Sequence, residues 1–341
     1  MKLLFITQKL HGQDAFGALW VKGFLEKGYD VRIVCLESRP EQIHQLLGMQ
    51  HLPPLEIHSM GKERDISKIA QILHFWKLMC SLDYDRVFIH MSPVWGLLGA
   101  PIFIARRTPV YLWYTHYKMQ AGLWLLGRYA KRMFCATAQS LPQYEGSPKK
   151  IVTGHGIDMS YWPKRENHTT DGKRLLGVFR LSRSKRLEIC IRAMTVLPDS
   201  YTWDTYGIEA EPAYVQELKN LIADLDLSDR IHFHGTAAAH LLPDLYASHR
   251  LILNMASETI DKTMLEAMTC GCYPVTTARN AAAIGIPSAP EADTPEAVAA
   301  FIARYKGHTP IDADTMYGIV AERHSLTSLI EKMDAYIRPG L

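Results

Sequence analysis

Two glutamates, Glu258 and Glu266, stand with seven residues between them in the stretch SETIDKTMLEAMTCGCYPV at 257–275. A carboxylate can accept hydrogen bonds from two neighbouring hydroxyls at once, which is what a sugar ring or a ribose offers. The residues between the pair predict the start of a short apolar helix, whose free backbone N–H groups favour an anion such as phosphate. Carboxylates for hydroxyls beside amides for phosphate are the layout expected of a nucleotide-sugar site.

A second constellation lies upstream in GVFRLSRSKR, residues 177–186. Arg180 ends a predicted strand and Lys185 follows five residues later, with Arg183 and Arg186 alongside. Cations this dense repel one another unless an anion sits among them, and a diphosphate is a natural partner for Arg and Lys together. The plainer reading is a solvated basic loop. Gly12 belongs to LHGQDAFG (10–17), a strand-to-helix turn where backbone can approach a ligand, although the spacing is not that of a dinucleotide fingerprint. His116 closes the apolar strand VYLWYTH, a position suited either to function or to a structural histidine.

The elements that must position these residues alternate. KLLFIT, DVRIVCLE, DRVFIHM and PVYLWYTH read as buried strands in the first half; RLLGVFRL, YTWDTYG, RIHFHG and RLILNMA repeat the pattern in the second. Alternation of this kind predicts parallel sheets covered on both faces, in two doubly wound domains. The expected boundaries are a first domain over 1–160, a polar linker over 161–173, a second domain over 174–323, and a C-terminal helix over 324–341 that packs back on the first domain. Ligands are expected in a cleft where the carboxyl ends of the two sets of strands face each other.

The 341 residues are 48% hydrophobic and 21% charged, a globular composition. The longest apolar run, PVWGLLGAPIFIA at 93–105, is too short to span a bilayer, and the N-terminus reads as a first strand and not as a signal peptide. A cytoplasmic address follows as an expectation. The six cysteines lack the spacing of a metal or disulfide framework. Residues 1–150 hold 19 Lys and Arg against 11 Asp and Glu, a net +8; residues 151–341 hold 19 against 24, a net −5, and the two give the total of +3. The basic first half suggests an anionic partner such as lipid headgroups or a phosphorylated acceptor, against ordinary surface charge as the alternative. The segment KMQAGLWLLGRYAKRMF at 118–134 reads as a core-facing helix with a basic outer side in preference to a membrane-interface helix.

Taken together, GVFRLSRSKRLEICIRAM, IVTGHGIDMSYW and the long stretch from RIHFHG to CGCYPV resemble the retaining glycosyltransferases of family 4, over nearly the whole chain. The resemblance implies the GT-B fold, two Rossmann-like domains facing each other across a cleft. It implies a metal-independent enzyme without cofactor that moves a sugar from a UDP- or GDP-sugar to a saccharide or lipid-linked acceptor in cell-surface polysaccharide or glycolipid synthesis. Arg180 and Lys185 fall on the donor-diphosphate positions, Glu266 on the ribose position, and Glu258 and His116 beside the transferred sugar; the loop of Gly12 is expected to close over the same diphosphate from the first domain. No nucleic acid partner is implied, and peripheral contact with the inner face of the membrane through the basic first domain is. One departure stands out: where the family has Gly-Phe-Gly after the first glutamate, this chain has Thr259, Ile260 and Asp261, with Asp261 placed to cap the following helix. An epimerase or phosphorylase of the same fold, or a weakly active nucleotide-sugar-binding subunit, are the competing expectations.

Overall fold

The apolar runs of the first half fold as seven parallel strands in a computed structural model of the chain. The structure describes every residue except 11–15, 39–54, 62–65, 118–120, 163, 165–171, 258, 307 and 339–341, and the side chains of Phe16 and Ala121. Strands β1 (Lys2–Leu10), β2 (Asp30–Ser38), β3 (Glu56–Ser59), β4 (Arg86–His90), β5 (Val110–Trp113), β6 (Arg132–Cys135) and β7 (Lys150–Val152) pair in the order β3-β2-β1-β4-β5-β6-β7. Leu3, Leu4, Phe5 and Ile6 are all fully buried although they alternate between faces. That burial requires helices on both sides of the sheet.

One face is covered by α1 (Phe16–Glu26) and by the last helix, α12 (Leu326–Ile337). Leu329, Ile330 and Met333 of α12 pack among Trp20, Val21 and Phe24 of α1. Helix contact is close at Gly23, where a Cβ would lie 2.6 Å from Cγ1 of Ile330. The other face is covered by α2 (Lys68–Ser81), α3 (Pro93–Ala105) and α4 (Ala121–Tyr129), which bury Phe75, Trp95, Phe103, Leu123 and Leu126. The apolar run 93–105 is therefore a surface-layer helix, opened by Pro93 at its first turn.

A second unit repeats the plan on a smaller scale. Strands β8 (Arg174–Val178), β9 (Thr202–Tyr206), β10 (Ile231–Phe233), β11 (Leu251–Leu253) and β12 (Tyr273–Val275) pair in parallel in the order β10-β9-β8-β11-β12. Helices α5 (Leu187–Val196), α6 (Pro212–Asp224), α7 (Leu242–Ala247), α8 (Lys262–Thr269), α9 (Ala278–Ile284), α10 (Pro295–Tyr305) and α11 (Ala313–Arg323) surround it. Residues 1–156 with 325–341 form the first compact unit and residues 157–324 the second. The chain passes from one to the other after Gly156 and returns after His324, so Trp162, at the start of the polar stretch expected as a linker, packs on Tyr246 of the second unit with ring centroids 5.7 Å apart.

Strand order reverses direction between β1 and β4 in the first sheet and between β8 and β11 in the second. Loops leaving such neighbours diverge and open a crevice at the carboxyl edge, where ligands of doubly wound sheets collect.

Candidate functional site

At the carboxyl edge of the second sheet the loops after β8, β9 and β10 are laced by backbone. Phe179 N donates to Tyr206 O at 3.0 Å, Leu181 N to Ile208 O at 2.9 Å, and Gly207 N to Gly235 O at 2.7 Å. Gly207 has φ +156°, and a Cβ there would stand 1.6 Å from the carbonyl oxygen of Phe179, so only glycine fits this crossing. Against these loops lies a cavity of about 300 Å³ walled by Phe179, Arg180, Tyr206, Ile208, Leu242 and Thr263. Its lining is mainly apolar and aromatic, with Arg180 as the charged group. The Thr263 hydroxyl is buried on this wall and has no hydrogen-bond partner among the described residues. Buried hydroxyls are nearly always bonded, so an unpaired one at a cavity wall points toward a ligand.

The four cations of 180–186 do not share one anion, as their density suggested. Three are paired with the chain's own carboxylates: Arg183 with Glu217 at 2.5 Å, Lys185 with Asp261 at 2.5 Å, and Arg186 with Asp293 at 2.8 Å. Arg186 also donates from Nε to the carbonyl of Met255 at 2.7 Å, which holds it as a structural strut. Arg180 is exposed and has no ion pair among the described residues. Of the four, it is the cation left for a ligand.

The pairing of Lys185 spans the point where the strand order reverses. Lys185 ends the 3-10 turn after β8, Asp261 ends the loop after β11, and Asn254 begins that loop. Asp261 Oδ2 accepts from Asn254 Nδ2 at 2.7 Å, and Asn254 Oδ1 accepts from Ala256 N at 3.1 Å. Asp261 occupies the N-cap position of α8, but its side chain makes no capping bond, contrary to the expectation that it would occupy helix-start amides. Both its oxygens are already engaged by Lys185 and Asn254, and a charged, nearly buried ammonium is the stronger claimant.

Glu266 lies one turn along α8 from Thr263 of the cavity wall, on the same side of the helix by its period. Below it, Tyr246 of α7 is fully buried. Desolvation pushes the Glu266 carboxyl up to about 7 and the Lys262 ammonium down to about 8. A carboxyl whose folded pKa is raised stabilises the fold when protonated; that contribution is complete below its ordinary value of 4.5 and is lost as pH rises through about 7. Hydroxyl donors from a ligand favour the ionised form instead. Binding of a ribose diol at pH 6.5–7 should therefore release protons, seen as a buffer-dependent heat in titration calorimetry. An identical heat in buffers of different ionisation enthalpy would count against Glu266 as the diol acceptor.

Sequence reasoning found Arg180, Lys185 and Glu266 at one sheet edge but missed three neighbours. Asn254 and Thr263 are small polar residues without a spacing signal, and Tyr206 is indistinguishable in sequence from an ordinary strand tyrosine. His116 lies in the first unit just beyond β5, half-buried, its ring edge-on to Tyr114 at 5.2 Å. Gly12 and Glu258 lie outside the described residues.

A parallel five-stranded sheet, a cavity at its carboxyl edge and an Arg–Lys–Glu set around the reversal point are the decisive features of the second unit. Residues 158–284 match the family described as Glycosyl transferases group 1. The match takes in Arg180, Lys185, Asp261 and Glu266. Mannosylfructose-phosphate synthase of Agrobacterium fabrum is 30% identical over 122 residues, covering 33% of this chain and 27% of that protein. The chain thus spans about a quarter of that relative's length.

Solved structures share the fold over the full chain. An Anabaena protein, HepE, in complex with UDP and glucose has a TM-score of 0.72 at 19% identity, covering 98% of both chains. A glycosyltransferase of Rickettsia africae has a TM-score of 0.76 at 14% identity, covering 99% of both. Sucrose-phosphate synthase of Thermosynechococcus elongatus has a TM-score of 0.73 at 13% identity, covering 99% of this chain and 98% of that one. The fold is that of the GT-B glycosyltransferases, with two Rossmann-like sheets.

Proposed function

We propose that this protein transfers a hexosyl group from a nucleoside-diphosphate sugar to a hydroxyl of a saccharide or lipid-linked acceptor, with retention at the anomeric carbon and without a metal ion. The observation that carries the reading is the cavity with Arg180 on its wall, free of any ion pair among the described residues, and with Glu266 one helical turn from the Thr263 of that wall. Its apolar walls suit the flat base of a UDP or GDP donor, Arg180 suits the diphosphate, and Glu266 suits the ribose diol. HepE was solved with UDP and glucose, which supports a UDP-sugar donor here.

In the proposed reaction the bond from the anomeric carbon to the diphosphate oxygen breaks while the acceptor oxygen bonds to the same face. The acceptor proton leaves on the diphosphate. Negative charge grows on the leaving group, so Arg180, and Lys185 once Asp261 is shared or displaced, act where the transition state needs them. Roles for Gly12 at the diphosphate, and for His116 and Glu258 beside the sugar, complete the proposal. Cell-surface polysaccharide or glycolipid assembly at the inner face of the membrane is the setting it fits.

A thermal-shift screen of the purified chain against UDP-, GDP- and ADP-sugars tests the donor half directly, because a ligand that binds the folded state raises its Tm. At 100 Kd the gain is about 2.7 kcal/mol, and no shift with any of the three would reject the donor assignment. One observation favours a second reading, a nucleotide-sugar-binding subunit with little turnover: Asp261 already holds Lys185. Transfer or donor hydrolysis that survives excess chelator separates the two and tests metal independence in the same tube.

A further inference from the structure

We propose that the outer face of α2, α3 and α4 in the first unit is a docking surface for an anionic membrane. Seven of the twelve large apolar side chains exposed among the described residues lie on these three helices: Ile69, Leu73 and Trp76 on α2, Val94 and Ile104 on α3, and Trp124 and Leu125 on α4. Ile69 is 72% exposed and Ile104 58%, so these are outward side chains and not rim residues of the core.

The three helices form one layer on one face of the sheet. Trp76 Nε1 donates to the carbonyl of Leu98 at 2.9 Å, which ties α2 to α3, and the Tyr129 hydroxyl donates to the carbonyl of Gly96, which ties α4 to α3. Helix α3 has no polar side chain at all; one side buries Trp95 and Phe103, and the other leaves Val94, Pro101 and Ile104 exposed. A surface helix normally carries polar residues on its outer side. One that is apolar all round needs a second apolar neighbour.

Charge selects that neighbour. None of the three helices contains Asp or Glu, while Lys68, Lys77 and Arg128 lie on them and Arg107 and Lys131 follow them directly. These five cations are exposed and have no ion pair among the described residues. Arg128 sits over the Trp124 ring at 5.2 Å, pairing the residue that anchors at a lipid headgroup level with one that binds its phosphate. Apolar side chains framed by unpaired cations are the composition of a helix layer lying in a membrane interface. No described helix is long and apolar enough to cross a membrane, so the contact is peripheral. The core-facing reading of 118–134 holds for Leu123 and Leu126, whereas Trp124, Leu125 and Arg128 belong to the docking face.

This deepens the membrane-side setting proposed above and rests on it only for location. Flotation of the full chain with phosphatidylglycerol-containing vesicles, measured without nucleotide, tests it apart from any donor binding. Binding should exceed that to phosphatidylcholine vesicles and weaken with salt. The double variant Ile104→Glu/Trp124→Glu should bind at least about 10-fold less. Val152→Glu, which changes an exposed apolar residue on the sheet edge, should bind like the parent. Equal weak binding to both vesicles, or unchanged binding by the double variant at parental helix content, would overturn the proposal. So would a lipid-free dimer that the double variant dissolves, since the face would then join two copies of the chain.

Discussion

Arg180→Ala should lower kcat/KM for sugar transfer by about 10²–10³-fold while leaving the Tm within a degree or two. The two halves of the expectation come from the same geometry. Arg180 is exposed, bonded to no carboxylate among the described residues, and stands on the cavity wall, so the fold loses little when it is cut back. A cation that meets charge formed in the transition state is worth about 2.7–4 kcal/mol. Arg180→Lys should recover part of the loss, since a point charge replaces a bidentate fork. Steady-state kinetics with a matched donor decide it: a decrease under threefold for the alanine variant would remove Arg180 from the diphosphate site.

Asp261→Ala should destabilise the unliganded protein by about 3–5 kcal/mol and make it unusually dependent on nucleotide. Lys185 is 7% exposed at its side chain and Asp261 16%, so removing the carboxylate leaves an uncompensated, largely buried ammonium. A diphosphate can supply the missing charge. UDP should therefore raise the Tm of the variant more than that of the parent and bind it about 10-fold more tightly. Asp261→Asn keeps an acceptor for Asn254 and removes only the charge, which separates ion pairing from the hydrogen-bond network. Equal nucleotide shifts in parent and variants would mean that Asp261 and the diphosphate do not compete for Lys185.

How much of this was legible beforehand differs by residue. The strand runs and their alternation with helices announce two parallel sheets, because strands buried on both faces are apolar at every position. Arg180 and Glu266 stand out in the sequence because one lies just past an apolar strand run and the other follows a helix start. The pairing partners could not. Glu217, Asp261 and Asp293 lie 34, 76 and 107 positions from their cations, and contacts of that span depend on topology that no local spacing encodes. Asp261 illustrates the limit well. Its position before an apolar helix signals an N-cap, and the tertiary claim of Lys185 overrides the local one. The exposed side of α3 was equally hidden, since an apolar run reads the same whether one side or both are buried.

The closing helix has a consequence for how the chain is made. Leu329, Ile330, Met333 and Ile337 supply the layer against α1, and the Tyr29 hydroxyl donates to Asp334 Oδ1 at 2.5 Å. The unit that emerges first from the ribosome thus waits for the last segment, while residues 157–324 can finish their own core in between. At about 5–20 residues per second that wait lasts on the order of 10–30 s, with Trp20, Val21 and Phe24 uncovered. Translation order and spatial order are reversed in this molecule. A released chain truncated after His324 should present a completed second unit and a first unit still open to chaperones.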